Sequence, residues 1–371
     1  MKSMKIAIIT FSDFNTNYGS MLQSFSLVYY LKKLGHDAVC IRYREFTKGS
    51  RTQISLGNLK GDIRKLLFKV YAFYRKKDIS TTKENFSTFK KKWLTYTKLY
   101  TSEYELEHME EEYDCYICGS DQIWNLECLG GLRAPYFLQF APDGKRKVAY
   151  AASMGNYHFQ DYEKEVISFL LGRLDYISVR EKESVDEIEK LSKKQVISVV
   201  DPVFLTTSKE WLDFAGESPI QGDYAVCYFV RRSKLGKKII KMAGEYYDIP
   251  IYNLSDNMIY IKGTSRKYIS AGPMEFLAIL KGAKFAIGTS FHLTAFSIIF
   301  NVPFLSIGME SNRSRINNIL ELVGLEKNFI TESDDYKTAV KQIQIQRPQY
   351  ERLEKAIIKS EKFLRESIQQ S

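Results

Sequence analysis

The chain has 371 residues, of which 44% are hydrophobic and 26% charged, and it carries a formal net charge of +10. That length suits two domains, each with its own core, and the composition excludes a disordered or fibrous chain. No apolar run reaches the roughly 18 residues that span a bilayer, and the opening M-K-S-M-K-I-A-I-I-T-F-S enters strand-like sequence without a small-residue cleavage site, so a cytoplasmic location is expected.

Lys5 to Phe11 is an apolar run of buried-strand type, Ser20 to Leu34 has helical periodicity, and Gly35 with His36 closes that helix before a second strand, Ala38 to Tyr43. This is the βαβ opening of a doubly wound sheet with a right-handed crossover. Lysines and arginines then crowd the stretch from Lys60 to Lys98, opposed only by Asp62, Asp78 and Glu84 and interleaved with Leu66, Leu67, Phe68, Tyr71, Phe73 and Tyr74. It reads as a basic amphipathic helix followed by a second basic helix. Either it is a solvated insertion, or it meets an anionic membrane surface, a lipid-pyrophosphate acceptor or nucleic acid. The near-balanced charge elsewhere and the lack of a recognisable binding motif argue against nucleic acid.

Strands follow at Asp114 to Cys118, Lys147 to Ala151, Tyr176 to Val179 and Gln195 to Val200, with helices at Tyr162 to Leu171 and Glu181 to Leu191. The turn-rich stretch from Asp201 to Asp223 marks a boundary. Beyond it come strands at Tyr224 to Phe229, Ile251 to Leu254, Phe285 to Gly288 and Pro303 to Ser306, and helices at Lys234 to Tyr247, Pro273 to Lys281 and Leu293 to Phe300. The expected class is α/β, with two Rossmann-like domains over 1–205 and 206–345. The first carries the basic insertion at about 48–98, and a closing helix from Gln349 to Ile368, within 346–371, is placed to cross back to it.

Five cysteines, an odd number, suit a reducing compartment. Cys115 and Cys118 have C-x-x-C spacing but fall on a strand, where they point to opposite faces. Zinc would need a second pair, which Cys40, Cys128 and Cys227 do not form, so the cysteines read as small buried hydrophobes and no metal site is expected.

Chemistry is concentrated in a few loops at strand ends, where open α/β sheets keep their ligand crevices. After the first strand, Asn17, Tyr18, Gly19 and Ser20 form a polar turn at a helix start that either binds phosphate or carboxylate or simply caps the helix. It is not a G-x-G-x-x-G fingerprint, so a nicotinamide cofactor is not expected. The segment G-S-D-Q-I-W-N supplies Asp121 as an acid, base or hydroxyl ligand, Gln122 and Asn125 as hydroxyl partners, and Trp124 as a platform for a sugar face; its bland alternative is a capped turn over a core tryptophan. Arg180 follows a strand and offers a planar cation to an anion or a surface partner to Glu183. Past the strand ending at Gly288, His292 opens a helix-period run, with Ser290 before it and the helix-start loop at Gly272 upstream. His292 is the first catalytic candidate.

These segments occur together and in order: N-Y-G-S-M-L-Q, Y-D-C-Y-I-C-G-S-D-Q-I-W-N, I-S-V-R-E-K-E-S, V-V-D-P-V-F-L, G-P-M-E-F-L and T-S-F-H-L-T-A-F-S-I-I-F-N-V-P-F. As a set they resemble the polysaccharide pyruvyl transferase family over most of the chain, apart from the basic region and the C-terminal tail. The resemblance implies a GT-B-like fold of two facing Rossmann lobes. It also implies transfer of the pyruvyl group of phosphoenolpyruvate to a sugar of a cell-surface polysaccharide or its precursor, as a ketal. The family histidine falls on His292 and its strand-end arginine on Arg180. Many members carry an arginine two residues before the histidine, whereas Ser290 stands there in this chain, so either that part of donor binding comes from elsewhere or the donor geometry differs.

On this reading His292 is the acid and Asp121 the base. Arg180, with the helix starts around Asn17, Tyr18, Gly19, Ser20, Gly272 and Ser290, holds the donor's anions, while Gln122, Trp124 and Asn125 hold the acceptor sugar. Phosphoenolpyruvate enters as donor substrate and no cofactor is called for, and residues 60–98 would offer peripheral contact with an anionic membrane. Two alternatives stay open: a sugar-nucleotide glycosyltransferase on the same architecture, for which Glu310 is the nearest carboxylate, and a non-catalytic carbohydrate-binding protein.

Overall fold

The computed structural model describes residues 3–11, 16–44, 76–255, 265–268, 270–308 and 313–369. Within them the first lobe runs β1 (Lys5–Ile9), α1 (Tyr18–Lys33), β2 (Asp37–Tyr43), α2 (Lys76–Trp93), β3 (Tyr96–Tyr100), β4 (Cys115–Cys118), β5 (Arg146–Ala152), α3 (Asp161–Gly172), β6 (Tyr176–Val179), α4 (Val185–Ser192) and β7 (Val196–Ser198). Every adjacent pair is parallel, in the order β3-β2-β1-β4-β5-β6-β7. Such a sheet is covered on both faces at its centre, where β4, C-Y-I-C, is apolar and buried throughout, while the edge strand β3, Y-T-K-L-Y, carries Thr97 and Lys98. Ile6 and Ile8 join one core cluster while Ala7 and Ile9 join another. Cys115 and Cys118 divide between the same two clusters.

The second lobe runs α5 (Ser208–Ala215), β8 (Ala225–Tyr228), α6 (Lys234–Tyr247), β9 (Ile251–Asn253), β10 (Ser265–Lys267), α7 (Pro273–Lys281), β11 (Ala286–Gly288), α8 (Phe291–Ile299), β12 (Phe304–Ile307), α9 (Arg313–Val323) and β13 (Phe329–Ile330). Its parallel order is β10-β9-β8-β11-β12-β13. The final helix, α10 (Glu351–Ile368), leans on α9 and then on the first lobe. There Ser360 Oγ accepts from the Val200 amide at 3.0 Å, and Phe363 lies beside Tyr150. Among the described residues no helix is long and apolar enough to cross a membrane.

An aromatic seam joins the lobes. Tyr18 stacks on Phe276 with ring centres 4.4 Å apart and donates its hydroxyl to the Ala271 carbonyl, and Trp211 packs between Phe25 and Phe296. One apolar cluster therefore runs through both lobes.

Some elements differ from the sequence pattern. The helix anticipated from Glu181 begins as a single 3₁₀ turn at Lys182–Ser184 before α4. The turn-rich boundary contains α5, whose start is announced by a capping box: Thr207 Oγ1 accepts from the Glu210 amide while Glu210 returns a bond to the Thr207 amide. The second basic helix is α2; the first, and the insertion as far as Arg75, lie outside the described residues, as does Glu310.

Candidate functional site

Each sheet reverses its strand order once, at β1 beside β4 and at β8 beside β11. Open α/β sheets hold their ligands outside the carboxyl ends of the strands at such reversals. The loops leaving these four strands line a shared cleft of about 490 Å³, with Asn17 after β1, Asp121, Gln122 and Asn125 after β4, Arg231 after β8, and Ser290 with His292 after β11. Arg315 reaches the same space from α9.

The loops are held by local hydrogen bonds. Asn17 Oδ1 accepts from the Ser20 amide at 3.2 Å, capping α1, and Ser290 Oγ caps α8 through the Leu293 amide. Ser20 Oγ donates to Asp121 Oδ2 at 2.8 Å, and the Gln122 amide donates to Asp121 Oδ1 at 2.9 Å. Asp121 sits at φ +71°, a left-handed backbone uncommon outside glycine and often found where geometry is held for function. Asn125 caps the following turn through the Cys128 amide.

His292, only 7% exposed, lies in the first turn of α8 with its ring against the Cα of Gly19. A Cβ on Gly19 would come within 2.6 Å of the ring Cγ, so glycine there makes room for the imidazole. The Nε2 atom is buried without a hydrogen-bond partner, 3.7 Å from Asp201 Oδ2. Asp201 in turn accepts from Arg180 Nη1 at 2.5 Å and from Ser120 Oγ at 3.2 Å. Burial alone would raise its pKa, but His292 and Arg180 together hold the Asp201 carboxyl below the ordinary carboxylate range. A fixed negative charge thus stands behind the histidine.

Several expected ligands are placed otherwise. Trp124 is 0% exposed, stacks on Phe137 at 5.3 Å and donates its indole N–H to the Tyr136 carbonyl, so it is core and offers no face to a sugar. Tyr18 belongs to the aromatic seam. Gly272 caps α7 away from the cleft, facing Asn85 of α2, with its amide donated to Glu275. Gly19 and Ser20 serve His292 and Asp121 respectively.

Arg180 is buried behind the Phe291 ring, 4.6 Å from its centre. With Asp201 it lines a neighbouring open cavity of about 240 Å³, which shares Phe291 and Arg315 with the cleft, and not the cleft itself.

Three charged residues complete the site without having been singled out in the sequence. Asp201 stood in V-V-D-P-V-F-L directly after a strand, and Arg231 in F-V-R-R-S likewise. Arg315 gave no such signal. Its Nε is buried and unpartnered, and burial followed by the nearness of Arg180 brings the guanidinium pKa down to about 10. A cation so placed gains most from an anionic ligand. Among the described residues no three His, Cys, Asp or Glu side chains are grouped as a metal site.

A family model described as polysaccharide pyruvyl transferase matches residues 17–311. No curated protein matches the sequence significantly. Among solved structures, UDP-GlcNAc 2-epimerase from Methanocaldococcus jannaschii matches with a TM-score of 0.57 at 14% identity, covering 98% of this chain and 100% of that one. UDP-N-acetylglucosamine 2-epimerase from Rickettsia bellii gives 0.55 at 11%, covering 98% and 96%. Arabidopsis thaliana UGT89C1 complexed with UDP-L-rhamnose gives 0.50 at 11%, covering 99% of each. At these identities the likeness is one of fold, two Rossmann-like lobes in the GT-B-like arrangement.

Proposed function

The chain belongs to the polysaccharide pyruvyl transferase family, whose members are polysaccharide-modifying transferases, and from that premise we propose that it moves the pyruvyl group of phosphoenolpyruvate onto two hydroxyls of a sugar in a polysaccharide or its precursor. The observation that carries the reading is the convergence of His292, Asp121, Arg231 and Arg315 on one polar cleft between the lobes. Phosphoenolpyruvate brings a carboxylate and a phosphate, which two arginines and the α8 start can hold; Arg231 and Arg315 take over the part left open by Ser290. Arg180 acts from behind Phe291, fixing Asp201 and adding positive potential.

The chemistry then needs one proton delivered to carbon and two removed from hydroxyls, the second leaving with phosphate. His292, backed by the Asp201 carboxylate, protonates the methylene carbon, and the neighbouring carbon becomes electrophilic. Asp121 accepts the proton of the attacking hydroxyl, and Gln122 and Asn125 position the sugar. A second hydroxyl then displaces phosphate and gives its proton to the departing phosphate oxygen, which the arginines stabilise, and the ketal closes. The scheme uses phosphoenolpyruvate as donor substrate and calls on no cofactor.

The test is thermal unfolding with phosphoenolpyruvate and, separately, with UDP-sugars. At a hundredfold excess over Kd, phosphoenolpyruvate should stabilise the protein by about 2.7 kcal/mol. A shift with a UDP-sugar and none with phosphoenolpyruvate would replace this reading with a sugar-nucleotide glycosyltransferase. Silence from both would leave a carbohydrate-binding protein without turnover.

A further inference from the structure

One buried carboxylate of the first lobe takes no part in the proton transfers. Glu181, the residue after Arg180, is 0% exposed and lines neither the cleft nor the neighbouring cavity. The arginine beside it does not claim it. Arg180 Nε stays 3.5 Å from Glu181 Oε1 without a hydrogen bond, while Arg180 Nη1 donates to Asp201 at 2.5 Å. Both Glu181 oxygens go instead to the loop that follows β5. Ser153 Oγ donates to Oε1 at 2.5 Å and the Met154 amide to Oε2 at 3.2 Å, an arrangement that calls for a side chain able to accept at both ends.

That loop braces the Asp121 turn. The Ser153 amide donates to the Asp121 carbonyl at 3.0 Å and the Trp124 amide donates to the Ser153 carbonyl at 3.2 Å, so one residue grips both ends of the turn. The Gly155 amide donates to Ser153 Oγ at 3.2 Å, which ties the next part of the loop to the same carboxylate. Gly155, at φ +63°, in turn lies against two cleft side chains. A Cβ there would come within 2.6 Å of Gln122 Nε2 and 3.3 Å of Asn125 Nδ2. Asp121, Gln122 and Asn125 therefore share one support, whereas His292, Arg231 and Arg315 come from the second lobe. Ser314 of α9 also meets this loop, at 3.3 Å from the Gly155 carbonyl, but its nearer acceptor is Asn156 Oδ1 at 2.6 Å. A shift of Gly155 thus leaves α9 held.

We propose that Glu181 is a positioning residue for the acceptor side of the site: through Ser153, Met154 and Gly155 it sets Asp121 at the attacking hydroxyl and Gln122 and Asn125 at the sugar. What those three residues do rests on the transferase reading; the tie that places them stands on its own geometry.

Glu181→Gln and Ser153→Ala, made singly and together, test it. A glutamine serves one of the two donors with its oxygen and turns an N–H toward the other. With methyl glycosides of glucose, galactose and mannose as acceptors and phosphate release from phosphoenolpyruvate as the readout, kcat/KM for the glycoside should fall by roughly 10²-fold in each variant, as a displacement of about 1 Å at a reacting group brings. Thermal stabilisation by phosphoenolpyruvate should stay that of the parent. The double variant should be no worse than Glu181→Gln alone, because both changes cut the same tie. Deuterium exchange needs no acceptor: amides of residues 121–125 should exchange faster in both variants, and those of β1 and α8 as in the parent. Losses that multiply in the double variant would overturn the proposal, as would an early melt with normal turnover per folded molecule. Stabilisation by phosphoenolpyruvate lost in step with turnover would make Glu181 a support of Arg180 and equally refute it. Unchanged exchange at 121–125 overturns it whatever the glycosides do. Faster exchange there, in a protein whose parent releases no phosphate, would sink the transferase reading and leave the tie between Glu181 and the Asp121 turn intact.

Discussion

Replacing Gly19 with alanine isolates the placement of the His292 ring from its chemistry. The added Cβ would lie 2.6 Å from the ring Cγ and 2.7 Å from Cε1, with Nδ1 closer still, where ordinary contact begins at 3.4 Å. The imidazole has to withdraw by roughly 1 Å, and a displacement of about that size at a reacting group costs on the order of 10²-fold in rate. Gly19 has no left-handed backbone, so the alanine itself is conformationally acceptable and gains about 0.5–1 kcal/mol of helix preference, against about 1–3 kcal/mol for overpacking. The net cost is then about 0–2.5 kcal/mol, which leaves the protein folded while activity collapses. The assay is phosphate release from phosphoenolpyruvate with acceptor, per folded molecule, alongside thermal melts. In an H292A background the ring is gone, and G19A should then cost no further stability. A G19A enzyme turning over within about threefold of the parent would refute the argument, because a group displaced that far cannot be the working acid.

His292→Gln should lower turnover by roughly 10²-fold or more while leaving the melt near that of the parent; an early melt with normal turnover per folded molecule would make the residue structural. Asp201→Asn removes the nearer of the two buried carboxylates beside Arg180 and leaves Glu181 Oε1 at 3.5 Å from its Nε, so it should cost about 1–3 kcal/mol in urea unfolding. Because the folded Asp201 carboxyl titrates below its ordinary value, the parent's advantage should be full above about pH 4 and fade as pH falls below it; an advantage growing in acid would contradict the charge arrangement. Arg315→Met should lower kcat/KM for phosphoenolpyruvate by about tenfold or more, with KM raised and kcat lowered, because the arginine both holds the donor and stabilises the departing phosphate; an unchanged kcat/KM would remove Arg315 from the donor site.

The strands that frame the cleft were legible because a parallel sheet buried on both faces leaves continuous apolar runs, as in Lys5–Ile9 and Ala286–Gly288. His292 and Asp121 were legible for a related reason, since each follows such a run at a turn into helix. What side chains do after the turn was less so. Trp124 sits among polar neighbours in sequence, yet its N–H finds a carbonyl and its ring finds Phe137, so the core takes it. Arg180 is at the strand end anticipated, but Phe291, distant in sequence, stands between it and the cleft. Gly272 was read as an open helix start because nothing local announces that Asn85 of the basic insertion docks on it. Arg315 arrives from a helix whose apolar face alone is periodic, and its direction is decided by how α9 packs.

The closing helix has a consequence for the order in which the protein is made. Ser360 meets the amide of Val200, the residue next to Asp201, across 160 positions of chain, and Leu364 and Ile368 fill the same cluster as Ile6 and Ile8. As the ribosome delivers the chain, the N-terminal half emerges complete in its strands yet with this seat bare, and it stays so until Glu351–Ile368 is released. Two lobes produced as separate fragments and mixed should assemble only when the tail accompanies one of them, and a stop codon shortly before Ser360 should abolish the enzyme while sparing every residue that lines the cleft.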